Sequence, residues 1–366
     1  MRLLLCGGGT AGHINPAIAI AEELMSSDPN SKILFIGREG GDENSLIKKA
    51  GFNYKTINIL GLKRSFSLSN IKRVLTALKA LNMATKIIKE FNPDVILGTG
   101  GYVCWPIITA GKRMGIPTAI HESNIIPGLT TKLLARKCDL VLLNREEAKR
   151  HLSNSTNFKT VGNPLRNDFK KTGRKDARAK LKVGENDCLI VSFGGSIGSE
   201  KMNDVIIDLM KTYTSKEKNI RHIHAVGKRY YKEIEKANEG LGGCSIVPFI
   251  EDMPEYLNAA DIVICRCGAM TISEICEVGV PAILIPSPNV AANHQLANGN
   301  ILKNAGGAIL IEEKNLNVDT LKNAVIKLKS DKNGRKTRAK TLKALSTPNS
   351  AKDIVFCLFS LLKTAK

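Results

Sequence analysis

The sequence has few aromatic residues and no long apolar run, and both absences narrow the class of protein. Aromatic residues make up 5% of the 366 residues, although hydrophobic residues together make up 43%. The first apolar run, residues 3–6, stops at glycines, and no later run approaches the roughly 20 residues of a membrane span. The sequence therefore predicts neither a signal peptide nor a transmembrane helix, and any membrane contact is expected to be peripheral.

Several motifs of metal and phosphate chemistry are also missing. The chain has no Asp-x-Asp pair to hold a metal against a diphosphate, no Walker lysine loop and no His-Glu-x-x-His. The nine cysteines are odd in number, which argues against a disulfide framework and for a reducing compartment. Cys265 and Cys267 lack the second pair that a structural zinc site needs. We expect no metal site and no cofactor.

Acidic residues are scarce relative to basic ones. Lys and Arg number 54 against 34 Asp and Glu, a net charge of +20 that attracts nucleic acid, anionic lipid or phosphorylated substrates. The excess is shared equally by residues 1–163 and 164–366, so it is not a basic tail. Residues 63–89 hold seven basic and no acidic side chains around apolar residues at helical spacing. They fit either an interfacial helix on anionic lipid or a core-facing helix with a solvated basic side. Residues 314–366, also basic, are interpreted as solvated surface.

Apolar strand patterns alternate with helical patterns, and the series starts twice. This alternation predicts parallel sheets covered on both faces. We therefore predict an α/β protein of two Rossmann-like domains that face a cleft, with domains at 1–163 and 164–345. Residues 346–366 are predicted to form a terminal helix whose docking site the sequence does not assign. The predicted strands are residues 2–6, 32–36, 95–97, 118–121 and 140–143, then 189–193, 221–226, 245–248, 261–265, 282–285 and 308–311.

Glycine-rich or polar segments follow the strands in the first half. Residues 7–12 (GGGTAG) have the G-x-G-x-x-G spacing and precede a helix predicted over 17–25, which suits a phosphate group, although a tight turn would need the same residues. His13 comes next and fits either a general base or a hydrogen-bonded structural histidine. Residues 98–102 (GTGGY) and 121–124 (HESN) also follow strands, where α/β sheets bind ligands.

The second half repeats this arrangement. Residues 194–198 (GGSIG) follow a strand, and residues 266–274 (RCGAMTISE) follow another and open a helix suited to a diphosphate. Glu274 could accept hydrogen bonds from ribose hydroxyls, or could simply favour the helix dipole. The amides of residues 293–295 could bind sugar hydroxyls or cap a helix.

Taken together, these segments resemble the MurG family of bacterial transferases, over nearly the whole chain and in the expected order. The family transfers N-acetylglucosamine from UDP-GlcNAc to undecaprenyl-diphosphoryl-MurNAc-pentapeptide, which converts lipid I into lipid II in peptidoglycan synthesis. The matching segments are GGGTAGHINPAIAIA, GTGGYV, HESN with PGLTTKLLA, VGNPLR, FGGSIGS, PFIEDM, RCGAMTISE and NHQLANG.

The resemblance implies the GT-B architecture, with the acceptor mainly in the first domain and UDP-GlcNAc mainly in the second. It also implies peripheral attachment to the cytoplasmic side of the cell membrane through residues 63–89, an anionic membrane surface as partner, and no nucleic acid. It makes His13 the candidate for acceptor binding or base catalysis. The substrate-binding residues that it implies are Thr10, Ala11, Gly12, Asn124, Arg166, Ser196, Ile250, Ala269, Met270, Thr271, Glu274 and Gln295.

The chain departs from the family pattern at three positions. Ile197 stands where glutamine is frequent, His294 precedes Gln295 where a Gln-Gln pair is common, and Trp105 replaces a usual glycine. Two other functions stay open from the residues alone: a UDP-GlcNAc 2-epimerase, which shares the architecture, and an NAD-dependent oxidoreductase, for which Glu39 would be the ribose-binding residue. A nucleic-acid binder would explain the charge and not the strand-end loops.

Overall fold

The computed structural model describes residues 1–41, 43–60, 69–152, 157–238 and 240–364. The chain forms two compact units, each with its own sheet. The first contains Met1–Arg166 and Thr347–Lys366, and the second contains Asn167–Ser346. The chain therefore passes into the second unit after Arg166, not after residue 163, and returns to the first for its last 20 residues.

The first unit holds seven strands and six α-helices among its described residues. The strands are β1 (Arg2–Cys6), β2 (Lys32–Arg38), β3 (Asn53–Ile57), β4 (Val95–Gly98), β5 (Thr118–Glu122), β6 (Leu140–Leu143) and β7 (Phe158–Thr160). The helices are α1 (Ala11–Ser27), α2 (Glu43–Lys49), α3 (Ser69–Phe91), α4 (Cys104–Arg113) and α5 (Leu129–Leu134), with the terminal helix Ser350–Thr364 described below.

The second unit holds six strands and nine α-helices among its described residues. The strands are β8 (Cys188–Phe193), β9 (Ile220–Ala225), β10 (Cys244–Val247), β11 (Ile262–Cys265), β12 (Ala282–Leu284) and β13 (Ala308–Leu310). The helices are α6 (Asp168–Lys171), α7 (Arg174–Lys180), α8 (Glu200–Thr212), α9 (Tyr231–Ala237), α10 (Met253–Ala259), α11 (Ala269–Val278), α12 (His294–Asn304), α13 (Val318–Ser330) and α14 (Lys332–Ala344). The terminal helix is α15 (Ser350–Thr364).

Both sheets are parallel and share one topology. Their strand orders are β3-β2-β1-β4-β5-β6-β7 and β10-β9-β8-β11-β12-β13, and the strand pairs are parallel. Each sheet reverses its order beside its first strand, between β1 and β4 and between β8 and β11. The predicted α/β class with two Rossmann-like domains is confirmed, and ligands of such sheets bind outside the carboxyl ends of strands at the point of reversal.

Helix α1 begins earlier than the sequence indicated. It starts at Ala11, so Gly12 and His13 lie in its first turn, and Pro16 lies inside the helix. Pro16 has no N–H to donate to the carbonyl of Gly12, but a proline in the first turns of a helix leaves few hydrogen bonds unmade. The apolar face of α1 holds the helix on the sheet, because Ile14, Ile18 and Leu24 are buried.

Helix α15 packs on the first unit, against α1. Its residues Ile354, Leu358 and Leu361 join the same core cluster as Ile14 and Ile18 of α1. This contact supplies the docking site that the sequence left unassigned. The segment that leads into α15 also packs closely against Gly162. This glycine has φ +81°, and a Cβ there would collide with Thr347 and Ser350.

The basic segment 63–89 is partly described. Lys63, Arg64, Phe66 and Leu68 lie outside the described residues, and so do the side chains of 69–75. In the described part of α3, Leu81 is buried in the core, whereas Leu78 is 50% exposed. Leu81 therefore fits the core-facing alternative, whereas Leu78 lies on the exposed side of the helix. No helix in the described ranges is both long enough and apolar enough to cross a membrane.

Candidate active site

The predicted site residues of each unit lie in segments that follow the carboxyl ends of its strands. In the first unit, the loop after β1 lies beside the loop after β4, because Gly8 N donates to Gly100 O at 3.3 Å and Thr99 N donates to Cys6 O at 2.8 Å. Thr10 is exposed and precedes the first turn of α1 with an extended backbone. Ala11 and Gly12 form that turn, whose backbone N–H groups favour an anion.

His13 is held by the backbone of the glycine loop. Its Nδ1 lies 2.9 Å from the carbonyl oxygen of Gly8 and 3.4 Å from Thr10 Oγ1. A carbonyl oxygen only accepts, so Nδ1 carries the proton and, in the neutral ring, Nε2 keeps its lone pair. This tautomer is the one that a base acting through Nε2 requires.

Two glycines after β4 allow the imidazole to lie where it does. Gly100 has φ +117°, and a Cβ there would lie 2.6 Å from His13 Cδ2 and 3.0 Å from Nε2. Gly101 has φ +83°, and a Cβ there would overlap the carbonyl of Gly8. The pattern GTGG thus serves close packing around His13, which its strand-end position alone could not reveal.

Asn124 is positioned by a buried carboxylate. Glu122 is 5% exposed, and its Oε1 accepts from Asn124 N at 2.9 Å and Asn124 Nδ2 at 3.1 Å, while Oε2 accepts from Gly128 N at 3.1 Å. The carboxylate therefore fixes the loop that carries Asn124. Glu122 lies in the HESN segment that the sequence singled out, but its role in positioning Asn124 depends on the folded loop and was not predicted.

Residues beside Asn124 connect this loop to the segment that leads to Arg166. His121 is fully buried, burial lowers its pKa, and its Nε2 donates to Gly162 O at 2.9 Å. Asn163 Nδ2 donates to Ser123 O at 3.2 Å. Arg166 is half-buried at the end of the first unit, three residues further on.

In the second unit, the loop between β8 and α8 is open to solvent. Gly195 has φ +95°, and Ser196 and Ile197 are both exposed, Ile197 to 72%. Residues 194–198 also have the Gly-x-Ser-x-Gly spacing of a hydrolase nucleophile. In the described part of the chain, however, no histidine is hydrogen-bonded to Ser196, so the triad that this spacing requires is not assembled.

Helix α11 starts at the neighbouring strand end. Gly268 precedes it with an extended backbone and provides no side-chain cap. Met270 is buried, whereas Ala269, Thr271 and Glu274 are partly exposed. A helix start of this kind is suited to a diphosphate.

Arg266 joins the loops of the second unit. Its Nη2 donates to Ser199 Oγ at 2.5 Å and forms an ion pair with Glu313, and Nη1 donates to Ile285 O at 3.3 Å. The side chain is only 11% exposed, so its guanidinium group is used for contacts between loops within the second unit. Arg266 lies in a motif that the sequence singled out, but its partners are 19 to 67 residues away.

The remaining predicted residues lie on adjacent loops of the same unit. Gln295 is in the first turn of α12, and its Oε1 accepts from Ser287 N at 2.9 Å, which leaves the amide NH₂ as its donor end. His294 Nδ1 donates to Ala291 O at 2.8 Å. Ile250 is buried at 3% exposure, so its side chain is not open to a ligand.

The cysteines beside these loops are not poised to react. All nine cysteines are free, and burial raises the pKa of Cys267 to about 12 and that of Cys138 to about 12. A thiol with such a pKa stays protonated near neutrality. Within the described ranges, no cluster of three His, Cys, Asp or Glu residues could hold a metal ion.

Comparison with known proteins gives the class of the chain. The Glycosyltransferase family 28 N-terminal domain matches residues 3–143, and the Glycosyltransferase family 28 C-terminal domain matches residues 189–354. The glycine-rich loops that follow β1, β4, β8 and β11 lie inside these matches. They define a glycosyltransferase built of two Rossmann-like domains.

Relatives narrow the class further. The chain is 39% identical to a UDP-N-acetylglucosamine–N-acetylmuramyl-(pentapeptide) pyrophosphoryl-undecaprenol N-acetylglucosamine transferase of Acetivibrio thermocellus, over 99% of each chain. A protein of the same name from Alkaliphilus metalliredigens is 37% identical over 100% of each. The chain belongs to glycosyltransferase family 28 and, within it, to the MurG transferases.

Solved structures share the fold. Acinetobacter baumannii MurG matches with a TM-score of 0.75 and 23% identity, covering 98% of this chain and 99% of that one. A putative UDP-N-acetylglucosamine 2-epimerase from Listeria monocytogenes matches with a TM-score of 0.72 and 14% identity, covering 98% and 96%. At these identities the likeness concerns the fold, which transferases and epimerases have in common.

Proposed function

We propose that this enzyme transfers N-acetylglucosamine from UDP-GlcNAc to the 4-hydroxyl of MurNAc in undecaprenyl-diphosphoryl-MurNAc-pentapeptide. The observation that carries the proposal is the 39% identity, over nearly the full length of both chains, to a transferase named for this reaction. The two family 28 matches support it, because they cover both halves of the chain. They give no support to an NAD-dependent oxidoreductase.

In this proposal the second unit binds the donor. The start of α11 would receive the diphosphate at Ala269–Thr271, where a helix dipole offers about half a positive charge. Glu274, one turn further, would accept from the ribose hydroxyls, and the NH₂ of Gln295 would donate to the sugar. Ile250 would contact uracil through its backbone, and Ser196 would approach the phosphates from the exposed loop. Arg166 would add a cation at the leaving group.

The first unit would bind the acceptor and take its proton. The acceptor oxygen forms a bond to the anomeric carbon while the bond from that carbon to the UDP oxygen breaks, and UDP leaves with the electron pair. The single displacement inverts an α-linked donor to a β-1,4 product. The hydroxyl proton passes to His13 Nε2, an assignment supported by the Nδ1 hydrogen bond to Gly8. The donor would also be contacted by residues of the first unit, namely Thr10, Ala11, Gly12 and Asn124.

Peripheral membrane attachment is proposed for the first unit. Helices α3, α4 and α5 contribute to one core cluster on one side of the sheet. Their outer surface exposes Leu78 and Met83 on α3, at 50% and 46%, and Leu129 and Leu133 on or beside α5, at 65% and 51%. Exposed apolar side chains among lysines are suited to an anionic lipid surface.

The direct test measures UDP release from UDP-GlcNAc with and without a soluble lipid I analogue. We expect release to require the analogue and the product to be a β-1,4-linked disaccharide. Release of UDP with formation of ManNAc in the absence of an acceptor would instead identify a 2-epimerase. No release under either condition, from folded enzyme that binds UDP, would contradict both assignments.

A further inference from the structure

The second unit contains a cavity that the transfer reaction does not use. Its volume is about 710 Å³, within the range typical of small-molecule sites. The segments that line it include residues 258–261, which precede β11, and residues 278–281, which precede β12. Since the strands are parallel, the cavity lies at the amino ends of the strands, opposite the edge that carries Ser196 and the start of α11.

The lining of this cavity is strongly cationic. It includes two carboxylates, Asp261 and Glu277, against six basic side chains. The basic side chains are Lys170, Arg174, Lys332, Arg335, Lys336 and Lys343. Four of the six come from α14, part of the basic segment that the sequence suggested was only solvated surface.

The carboxylates are already engaged by other groups. Asp261 accepts from Arg174 at 2.7 Å, from Arg178 at 3.0 Å and from Leu189 N at 2.9 Å. Glu277 accepts a hydrogen bond from Ser346. Asp261 is therefore balanced by two guanidinium groups and does not neutralise the lysines.

The lysines of α14 keep their charge available. Among the residues that the structure describes, Lys332, Lys336 and Lys343 form no ion pair. Helix α11 ends at Gly279 beside them, but a helix carboxyl end offers only about half a negative charge. The three ammonium groups around one concave space therefore outnumber Glu277, the lining carboxylate that no guanidinium group balances.

The floor of the cavity is apolar. Phe169 is buried there, and Val280 and Pro281 line the same space. The stem of Lys343 lies over Gly279, where a Cβ would approach its Cγ to 2.7 Å. An apolar floor under a cationic rim suits a phosphate group attached to a small organic body.

We propose that this cavity is a second anion site, which binds a phosphate ester of glycerol size between α11 and α14. The ester is either free or the headgroup of an anionic phospholipid, since both present the same phosphate. The site is independent of the donor site, because it lies at the opposite edge of the sheet.

The test uses the full-length enzyme with its nucleotide site saturated by UDP. One arm titrates sn-glycerol 3-phosphate by calorimetry, and the other measures cosedimentation with vesicles of phosphatidylglycerol and phosphatidylcholine, against phosphatidylcholine alone. The cavity variant carries Lys332→Ala, Lys336→Ala and Lys343→Ala. The control carries Lys211→Ala, Lys327→Ala and Lys340→Ala, exposed lysines of the same unit outside the cavity with the same loss of charge.

We expect the cavity variant to weaken binding by roughly tenfold or more and the control by less than about twofold. Weakening in the glycerol phosphate arm identifies a free ester as a sufficient ligand, and weakening only in the vesicle arm identifies a lipid headgroup. Equal weakening by both variants, or no binding in either arm by the unchanged enzyme, overturns the proposal.

A second variant tests whether binding requires the space of the cavity and not only its positive charge. Ala339 lines the space from α14, so Ala339→Phe fills it without changing any charge. Binding should fall to a similar extent in this variant, while UDP affinity and the thermal midpoint show that the unit is folded. Retained binding in folded Ala339→Phe would also overturn the proposal.

Discussion

At the scale of single residues, the position of His13 depends on the absence of side chains opposite it. Gly100 combines a positive φ with a Cβ position only 2.6 Å from the imidazole. Gly115 also has a positive φ, +73°, but nothing lies within 4 Å of its Cβ position. Substitution of Gly115 therefore tests backbone strain alone, whereas substitution of Gly100 also displaces the imidazole.

We predict that Gly100→Ala lowers kcat for sugar transfer at least about tenfold, because the new methyl group must displace His13. Gly115→Ala should cost about 1–2 kcal/mol of stability through backbone strain alone and leave kcat unchanged. Steady-state kinetics and thermal unfolding of both variants check this. Equal kcat values for the two would show that the position of His13 is not critical.

His13 itself gives the second prediction. If Nε2 accepts the acceptor proton, His13→Ala should lower kcat by about 10²–10⁴-fold, with little change in the affinity for UDP. His151 is exposed, so His151→Ala is the matched control. A His13→Ala enzyme that keeps its rate at saturating substrates cannot be using this imidazole as the base.

Sequence patterns located the strand-end residues of the site but not their partners. A glycine loop after an apolar strand is a local signal, and the structure places Thr10, Ser196 and Ala269 after the ends of β1, β8 and β11 as predicted. Glu122 and Arg266 act through contacts that depend on the packed fold. The Arg266 contact with Ser199 spans 67 residues, a separation that no local pattern encodes.

At the scale of elements, α15 stabilises a unit from which it is distant in sequence. Leu358 is fully buried against α1, whereas Phe356 on the same helix is 68% exposed. We predict that Leu358→Ala lowers the free energy of unfolding by about 2–5 kcal/mol. Phe356→Ala should change it by less than about 0.5 kcal/mol. Urea denaturation measures both, and similar losses would mean that the α1–α15 contact contributes little.

Strands β8 and β9 bury two histidines that share one hydroxyl. Ser192 Oγ lies 2.9 Å from His222 Nε2 and 2.9 Å from His224 Nδ1. Both rings are fully buried, and burial lowers the pKa of His222 to about 3 and that of His224 to about 4. Both imidazoles are therefore neutral in the folded protein at pH values where an unfolded chain protonates them.

This gives a pH dependence with a definite sign. The folded pKa values are depressed, so the stabilisation is present above the unfolded pKa of about 6.5 and is lost as the pH falls toward about 4 and then 3. Each histidine should contribute a slope of about 1.4 kcal/mol per pH unit in that window. Urea denaturation between pH 7 and 4.5 should show a smaller slope for His224→Gln and an unchanged one for His151→Gln. An unchanged slope in both would contradict the assignment.

Element boundaries show where sequence periodicity fails. Strand β3 was not predicted because its sequence, NYKTI, is mostly polar and partly exposed at the sheet edge. Strand β7 has three residues at the other edge, too few for a period to be visible. Central strands such as β1 and β8 are buried on both faces, and their continuous apolar runs made them predictable.

At the scale of the whole molecule, the proposed membrane attachment would combine long-range attraction through the net charge of +20 with short-range contact through the exposed Leu129 and Leu133 of α5. We predict that Leu129→Ser with Leu133→Ser weakens binding to anionic vesicles about tenfold. Ile326→Ser with Phe356→Ser, also exposed, is the matched control.

Salt should weaken the electrostatic part of vesicle binding and leave the hydrophobic contribution of the leucines unchanged. Raising ionic strength from about 0.1 M to 1 M shortens the Debye length from about 10 Å to 3 Å, so binding of the unchanged enzyme should weaken steeply. Cosedimentation measures both effects. Binding that is indifferent to salt and to the leucines would place membrane attachment elsewhere.

The return of the chain to its first unit has a consequence for synthesis on the ribosome. The apolar face of α1 is covered by Ile354 and Leu358 in the folded first unit. These residues are translated only after the entire second unit. At about 5–20 residues per second, the roughly 190 intervening residues take about 10–40 s. During that interval the nascent first half carries an uncovered hydrophobic surface, which makes it a natural client for chaperones until the final helix arrives.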